Sequence, residues 1–172
     1  MAGFIEQPGS RAFLASKRVN TGAGAAALEP QGIEGPKGFP AGGPPDGQIA
    51  SAGNPQFTEL NAQTATRWSR VDAKAGDLTV SWKIIAPVRT AGFAYFITRN
   101  GWNPDRPLTR GAFEVKPLLV DDKVNGTVPS GTVTHHVTVP SDRSGYHVIL
   151  GIWESADTQT AIYQVIDMDI TN

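Results

Sequence analysis

With cysteine absent, the first candidates for chemistry in this chain are three histidines and scattered carboxylates. His135 and His136 are adjacent within "VTHHVTV". Successive residues of a strand point to opposite faces, so this pair cannot chelate one ion from a regular strand. His135 shares its parity with Val133 and Val137, and His136 with Thr134 and Thr138. The expectation is one partly buried histidine with satisfied partners and one exposed histidine. His147 opens an apolar run and reads as structural in the same way. No "GxSxG" elbow supports a serine nucleophile, and both the "GxGxxG" and P-loop phosphate cradles are missing.

Among the carboxylates, Glu29 and Glu34 sit in a Gly/Pro-rich stretch, and Asp157 lies in the turn "ESADTQTA". Glycoside hydrolysis needs two carboxylates about 5–10 Å apart across a cleft. Sequence spacing does not establish such a pair on loops, where capping and loop hydrogen bonding are the plainer roles. Asp167 and Asp169 share one strand face, which reads most simply as a solvated edge. The "NGT" at Asn125 to Thr127 has glycosylation spacing and equally the form of a hairpin turn.

The elements that must position these groups are strands. Leu78 to Ile84 alternates apolar and polar residues with period two, the pattern of a half-buried strand. Gly92 to Thr98, Val133 to Val139, Tyr146 to Trp153 and Ala161 to Ile170 follow, separated by turn signals such as Asn100-Gly101 and "SDRSG". Phe4-Ile5 marks packed structure near the start. The Tyr146 run is apolar on both faces. This spacing predicts a mainly β fold of the β-sandwich kind. A short helical turn is expected at "LTRGAFE", with Thr109 as its cap and Phe113 as its buried side.

Between Gly22 and Pro55, 15 of 34 residues are Gly or Pro, so neither helix nor strand can run through the segment. Leu28, Ile33, Phe39 and Ile49 are spaced to pin it to a core as a long ordered loop, the sort of loop that carries function on a rigid scaffold. The expected organisation is one domain over 1–172 with residues 22–55 as an insertion. A chain of this length buries about two-thirds of its unfolded surface.

Charge excludes some partners. A formal net charge of -1 provides no basic field for nucleic acid. No apolar run approaches the roughly 18 residues of a membrane span. Without cysteine there are no disulfides or thiolate metal ligands, and stability must come from packing. The opening "MAGFIEQPGSRAF" lacks the charged and apolar regions of a secretory signal, so the compartment stays open. A monomer is expected.

Six stretches in order are more specific than any single motif: "GFIEQPGSRAF", "LEPQGIEGPKGFPAGGPPDGQIASA", "QTATRW", "YFITRNGWNPDRPLTR", "VPSDRSGYHVILGIWESADT" and "AIYQVIDMDI". Together they resemble the bacterial lytic polysaccharide monooxygenases, a family first described as chitin-binding proteins and secreted. The similarity runs from Gly3 to about Ile170. It implies a fibronectin III or immunoglobulin-like β-sandwich with a long loop-and-helix insertion after the first strand.

The resemblance also implies a copper site, in which an amino-terminal histidine and a second histidine form a T-shaped nitrogen brace beside an axial aromatic. Such a nitrogen-rich, partly open site can cycle copper and activate oxygen or peroxide. At the corresponding positions this chain has Ala2, Val88 and Ile162. Hydrocarbon side chains have no lone pair to donate, and an amine alone is a weak ligand, so no cofactor is expected and the copper chemistry is expected to be lost. The implied substrate face comprises Leu28, Glu29, Pro30, Glu34, Asp157 and Thr160. Leu28 stands where the family places a stacking aromatic, Thr160 where it often has asparagine, and Phe93 where tryptophan is common. Ala15, Ala23 and Val137 occupy disulfide positions.

Three functions follow as expectations. The first is non-catalytic binding of polysaccharide, chitin or cellulose. The second is an interaction module or delivered cargo with a protein partner and no glycan. The third is an oxidative enzyme with an unorthodox or inactivated site.

Overall fold

The computed structural model describes residues 2–171. Among these residues, nine strands form two sheets. The smaller contains β1 (Ala2–Gln7), β4 (Gly76–Ala86) and β7 (Thr132–Val139), in the order β1-β4-β7. The larger contains β2 (Glu34–Pro36), β3 (Val71–Lys74), β5 (Thr90–Ile97), β6 (Leu119–Asp121), β8 (Gly145–Ser155) and β9 (Thr160–Thr171). Its order is β2-β9-β8-β5-β6, with β3 parallel to the far end of β9. The expected β-sandwich is the observed architecture.

The alternation in β4 turns Val80, Trp82 and Ile84 into the space between the sheets. There they meet Ile5 of β1 and Phe93, Tyr95, Ile149, Trp153 and Ile162 of the larger sheet. The larger sheet is covered on its other face too. Phe96, Leu150, Ile152, Tyr163 and Val165 pack beneath a layer of loops carrying Ile33, Ile49, Phe57 and Leu60. Burial on both faces explains why Tyr146 to Trp153 is apolar on both faces, His147 apart.

The loop layer is ordered by its apolar pins. Ile33 and Ile49 are buried, and Phe39 sits edge-on to Phe96 and Phe113. Leu28 departs from expectation: it is 85% exposed rather than pinned to the core. A six-residue helix, α1 (Arg11–Ser16), begins at Ser10, whose Oγ accepts the Phe13 amide at 3.1 Å. The turn at Arg110–Ala112 is capped by Thr109, whose Oγ1 accepts the Ala112 amide, and Phe113 is buried behind it. The "NGT" segment is a turn in which Thr127 donates to the Val124 carbonyl.

Asp167 corrects the reading of a solvated edge. It does share a face with Asp169, but α1 and the segment after Leu60 cover that face. Asp167 is 2% exposed and takes both Nε (3.0 Å) and Nη2 (2.7 Å) of Arg11, itself 1% exposed. Arg11 also donates to the Leu60 carbonyl and Gln63 Oε1, each at 2.8 Å, while the Tyr146 hydroxyl donates to Asp167. Every polar atom of the ion pair is thus engaged, the condition under which a buried pair is tolerated. Burial, and next the Asp167 charge, push the Tyr146 hydroxyl well above its ordinary pKa.

Candidate functional site

Ala2, Val88 and Ile162 come from three distant parts of the chain and converge on Trp153. Pairing of β1 with β4 sets Ala2 opposite Ala86, two residues before Val88. Gly3 follows, and a Cβ there would lie 2.8 Å from Trp153 Cζ3. Only glycine lets β1 pass this close to the indole. Pairing of β8 with β9 sets Trp153 opposite Ile162. The Trp153 indole N–H donates to Thr90 Oγ1 at 2.8 Å, and Thr90 Oγ1 donates to the Val88 carbonyl at 3.1 Å. Ile162 is fully buried, while Ala2 and Val88 are half-buried.

A polar rim lies beside this centre. The β2–β9 register places Glu34 opposite Ile162 and Pro36 opposite Thr160. Thr160 Oγ1 donates to Glu34 Oε2 at 2.6 Å. Across the β8–β9 turn, Asp157 pairs with Arg89 at 3.2 Å, and the Ala156 amide donates to the Arg89 carbonyl at 2.9 Å. The turn is therefore docked onto the segment that carries Val88. Lys37 Nζ donates to the Ser155 carbonyl at 2.9 Å, fastening the same turn to the loop layer.

The segment Leu28–Pro30 joins this rim through Gln164. Its Nε2 donates to the Pro30 carbonyl at 2.9 Å, two residues beyond Ile162 on β9. The other end of the same amide accepts the Ser10 hydroxyl at 2.5 Å. Pro30 is buried and holds its neighbours in place, leaving Leu28 and Glu29 at the surface. Glu29 Oε2 accepts from Gln56 Nε2 at 2.6 Å.

All the site positions read from the sequence are thus connected. Glu34, Asp157 and Thr160 stand around the Trp153 centre, and Leu28–Pro30 is tied to it through β9. Arg89, Thr90, Trp153, Gln164 and Lys37 were not singled out from the sequence. Arg89 alone left a signal, a cation directly after Val88. Its partner lies 68 residues away, a distance that only the fold closes.

The histidines lie elsewhere. His135 Nε2 is 2.9 Å from Asp121 Oδ2 and its Nδ1 is 2.6 Å from the Tyr95 hydroxyl, which accepts the Trp82 indole N–H at 2.9 Å. An Nε2–H toward Asp121 and an Nδ1 that accepts the Tyr95 hydroxyl satisfy every donor in this chain of bonds. His136 is exposed beside Asp77, and His147 is buried with Nδ1 2.7 Å from Thr98 Oγ1. Burial, and then the Arg143 charge, lower the His147 pKa below its ordinary value. His135 and His147 thus serve the packing of strands, while His136 lies at the surface.

The side chains at the three positions around Trp153 offer copper no donor. Methyl, isopropyl and sec-butyl groups stand at positions 2, 88 and 162, and none has a lone pair. Among the described residues, no group of three or more His, Cys, Asp or Glu is placed to hold a metal ion.

Comparison with known proteins matches this architecture. The sequence profile of the family described as "Lytic polysaccharide mono-oxygenase, cellulose-degrading" covers residues 3–168. The chain is 43% identical over 171 residues to a lytic chitin monooxygenase of Enterococcus faecalis, covering 98% of this chain and 84% of that protein. It is 42% identical to GlcNAc-binding protein A of Shewanella oneidensis, covering 99% of this chain but only 36% of that protein's length. The catalytic domain of a Listeria monocytogenes lytic polysaccharide monooxygenase superposes with a TM-score of 0.93 at 48% identity, over 99% of each chain. A Bacillus amyloliquefaciens relative, solved in complex with Cu(I), superposes with a TM-score of 0.89 at 40% identity, over 98% of this chain and 99% of that one. By sequence and by fold, this chain belongs to the lytic polysaccharide monooxygenase family.

Proposed function

We propose that this chain binds polysaccharide, chitin first, on the scaffold of a copper-dependent family but without copper at the family's metal position. The observation that carries the reading is the convergence of Ala2, Val88 and Ile162 on Trp153. At the positions where the family resemblance puts the metal, all three side chains are hydrocarbon. Around it, Glu34, Asp157, Thr160 and Glu29 offer carboxylate and hydroxyl groups to sugar hydroxyls, and Leu28 offers an apolar patch to a pyranose face. The relatives named for chitin and for GlcNAc support chitin as the first substrate to try.

Retention on crystalline chitin and on cellulose, measured side by side at low salt, tests this reading. Retention on chitin is expected, and Asp157→Ala combined with Leu28→Ala weakens it. Absence of retention on both polymers overturns it.

A second reading is an interaction module that has left carbohydrate behind. The 85% exposure of Leu28 favours it, since a bare aliphatic side chain suits a protein surface as well as a sugar. An elution shift with a protein partner, together with no glycan retention, distinguishes it from the first.

A further inference from the structure

The outer face of the larger sheet is not wholly roofed by the loop layer. Where β6 and β5 run out from under it, a cavity of about 200 Å³ opens between Phe39, Phe96, Ala94, Val120, Ile152 and Glu154. Its floor is a single cross-strand row. Val120 of β6 lies opposite Ala94 of β5, Ala94 opposite Ile152 of β8, and Ile152 opposite Tyr163 of β9. Phe96 rises two residues along β5, and Phe39 meets it edge-on with ring centroids 5.0 Å apart. These walls are apolar.

Glu154 is the exception. It stands on the same face two residues beyond Ile152, opposite Gly92 on one side and Ala161 on the other. Neither neighbour has a side chain long enough to reach it. Gly92 cannot readily become larger, because a Cβ there would lie 2.9 Å from the Asp121 carbonyl oxygen. The nearby Tyr163 hydroxyl is already committed, donating to the Pro36 carbonyl at 2.6 Å. Among the described residues, the half-buried Glu154 carboxylate makes no hydrogen bond or ion pair.

A carboxylate without a protein partner, at the rim of an aromatic and aliphatic hollow, is the complement of an organic cation. A dry cavity of about 150 Å³ holds one benzene ring, so this hollow admits a single ring with a short arm. We infer that it is a binding site for a small arylalkyl ammonium ion, with the ring against Ala94, Phe96 and Ile152 and the ammonium on Glu154. This site is separate from the Trp153 face, and the inference does not depend on polysaccharide binding.

Amide chemical-shift titration with three probes tests it: benzylammonium (ring and charge), benzyl alcohol (ring alone) and methylammonium (charge alone). Benzylammonium is expected to give saturable shifts at Ala94, Val120, Ile152 and Glu154, with the other two probes binding about tenfold more weakly or worse. Glu154→Gln keeps the shape and is expected to bring benzylammonium down to the level of benzyl alcohol. Ala94→Leu fills the hollow and is expected to abolish both. Equal binding of benzylammonium and benzyl alcohol, an unchanged affinity in Glu154→Gln, or shifts located elsewhere would overturn the inference. Chitin retention by Glu154→Gln stays at the wild-type level, so the outcome is independent of the polysaccharide reading.

Discussion

Trp153 and Thr90 are joined by a 2.8 Å hydrogen bond from the indole N–H to the threonine hydroxyl. That hydroxyl in turn holds the Val88 carbonyl, so one threonine ties the Val88 segment to Trp153 of β8, whose cross-strand partner on β9 is Ile162. The bond is buried, and water cannot replace it. Thr90→Val leaves the indole N–H without an acceptor, at a cost of about 1–3 kcal/mol. Thr90→Ser retains most of the stability. Urea unfolding of the three proteins checks the order, and a Thr90→Val protein as stable as the wild type would contradict it.

The ion pair of Arg11 with Asp167 ties α1 to the core strand β9. Asp167→Asn or Arg11→Met leaves an uncompensated charge or an unmatched polar group in a buried site, and each is expected to destabilise the fold by about 3–5 kcal/mol. The double variant Arg11→Met with Asp167→Leu is expected to recover much of that loss, because neither charge is then stranded. Denaturant midpoints of the singles and the double supply the comparison.

His147 makes stability depend on pH with a definite sign. Burial, then Arg143, lower its folded pKa, against smaller opposing effects of Thr98 and Asp142. The unfolded chain takes up a proton near the ordinary value of 6.5 that the folded protein refuses. The contribution is therefore complete above 6.5 and is lost progressively as pH falls below it, until the folded pKa is passed. The stability difference between wild type and His147→Asn should be constant above 6.5 and shrink on acidification. A difference that grows on acidification would contradict the assignment.

Copper chemistry gives a fourth test. With hydrocarbon side chains at positions 2, 88 and 162, addition of Cu(II) should produce no tight type-2 electron paramagnetic resonance signal at one equivalent. A stoichiometric type-2 signal would mean that nitrogen ligands are gathered at this site by another route.

How far the sequence reveals all this depends on the range of each interaction. Strands β4, β5, β7, β8 and β9 were legible because each carries an alternation or an apolar run over 8 to 12 residues. Strands β2, β3 and β6, "EGP", "VDAK" and "LVD", are three or four residues long. No periodicity develops in so short a run, and they exist because neighbouring strands offer them an edge. The burial of Asp167 was illegible for a different reason, since its partner Arg11 lies 156 residues away. The three hydrocarbon positions could be named only through the family resemblance. That Trp153 gathers them, and that Arg89 holds Asp157, follows from strand register and turn docking. The exposure of Leu28 likewise depends on how the loop settles, because an apolar residue in a Gly/Pro-rich segment has no period to show which way it faces.

The central claim is that this face works without metal. Its most direct test is retention on crystalline β-chitin of protein stripped with a chelator, compared with the same protein given one equivalent of Cu(II). The account predicts that the same fraction binds in both, and that no oxidised oligosaccharide is released when a reductant is supplied. Binding that appears only with copper, or soluble oxidised products, would contradict it.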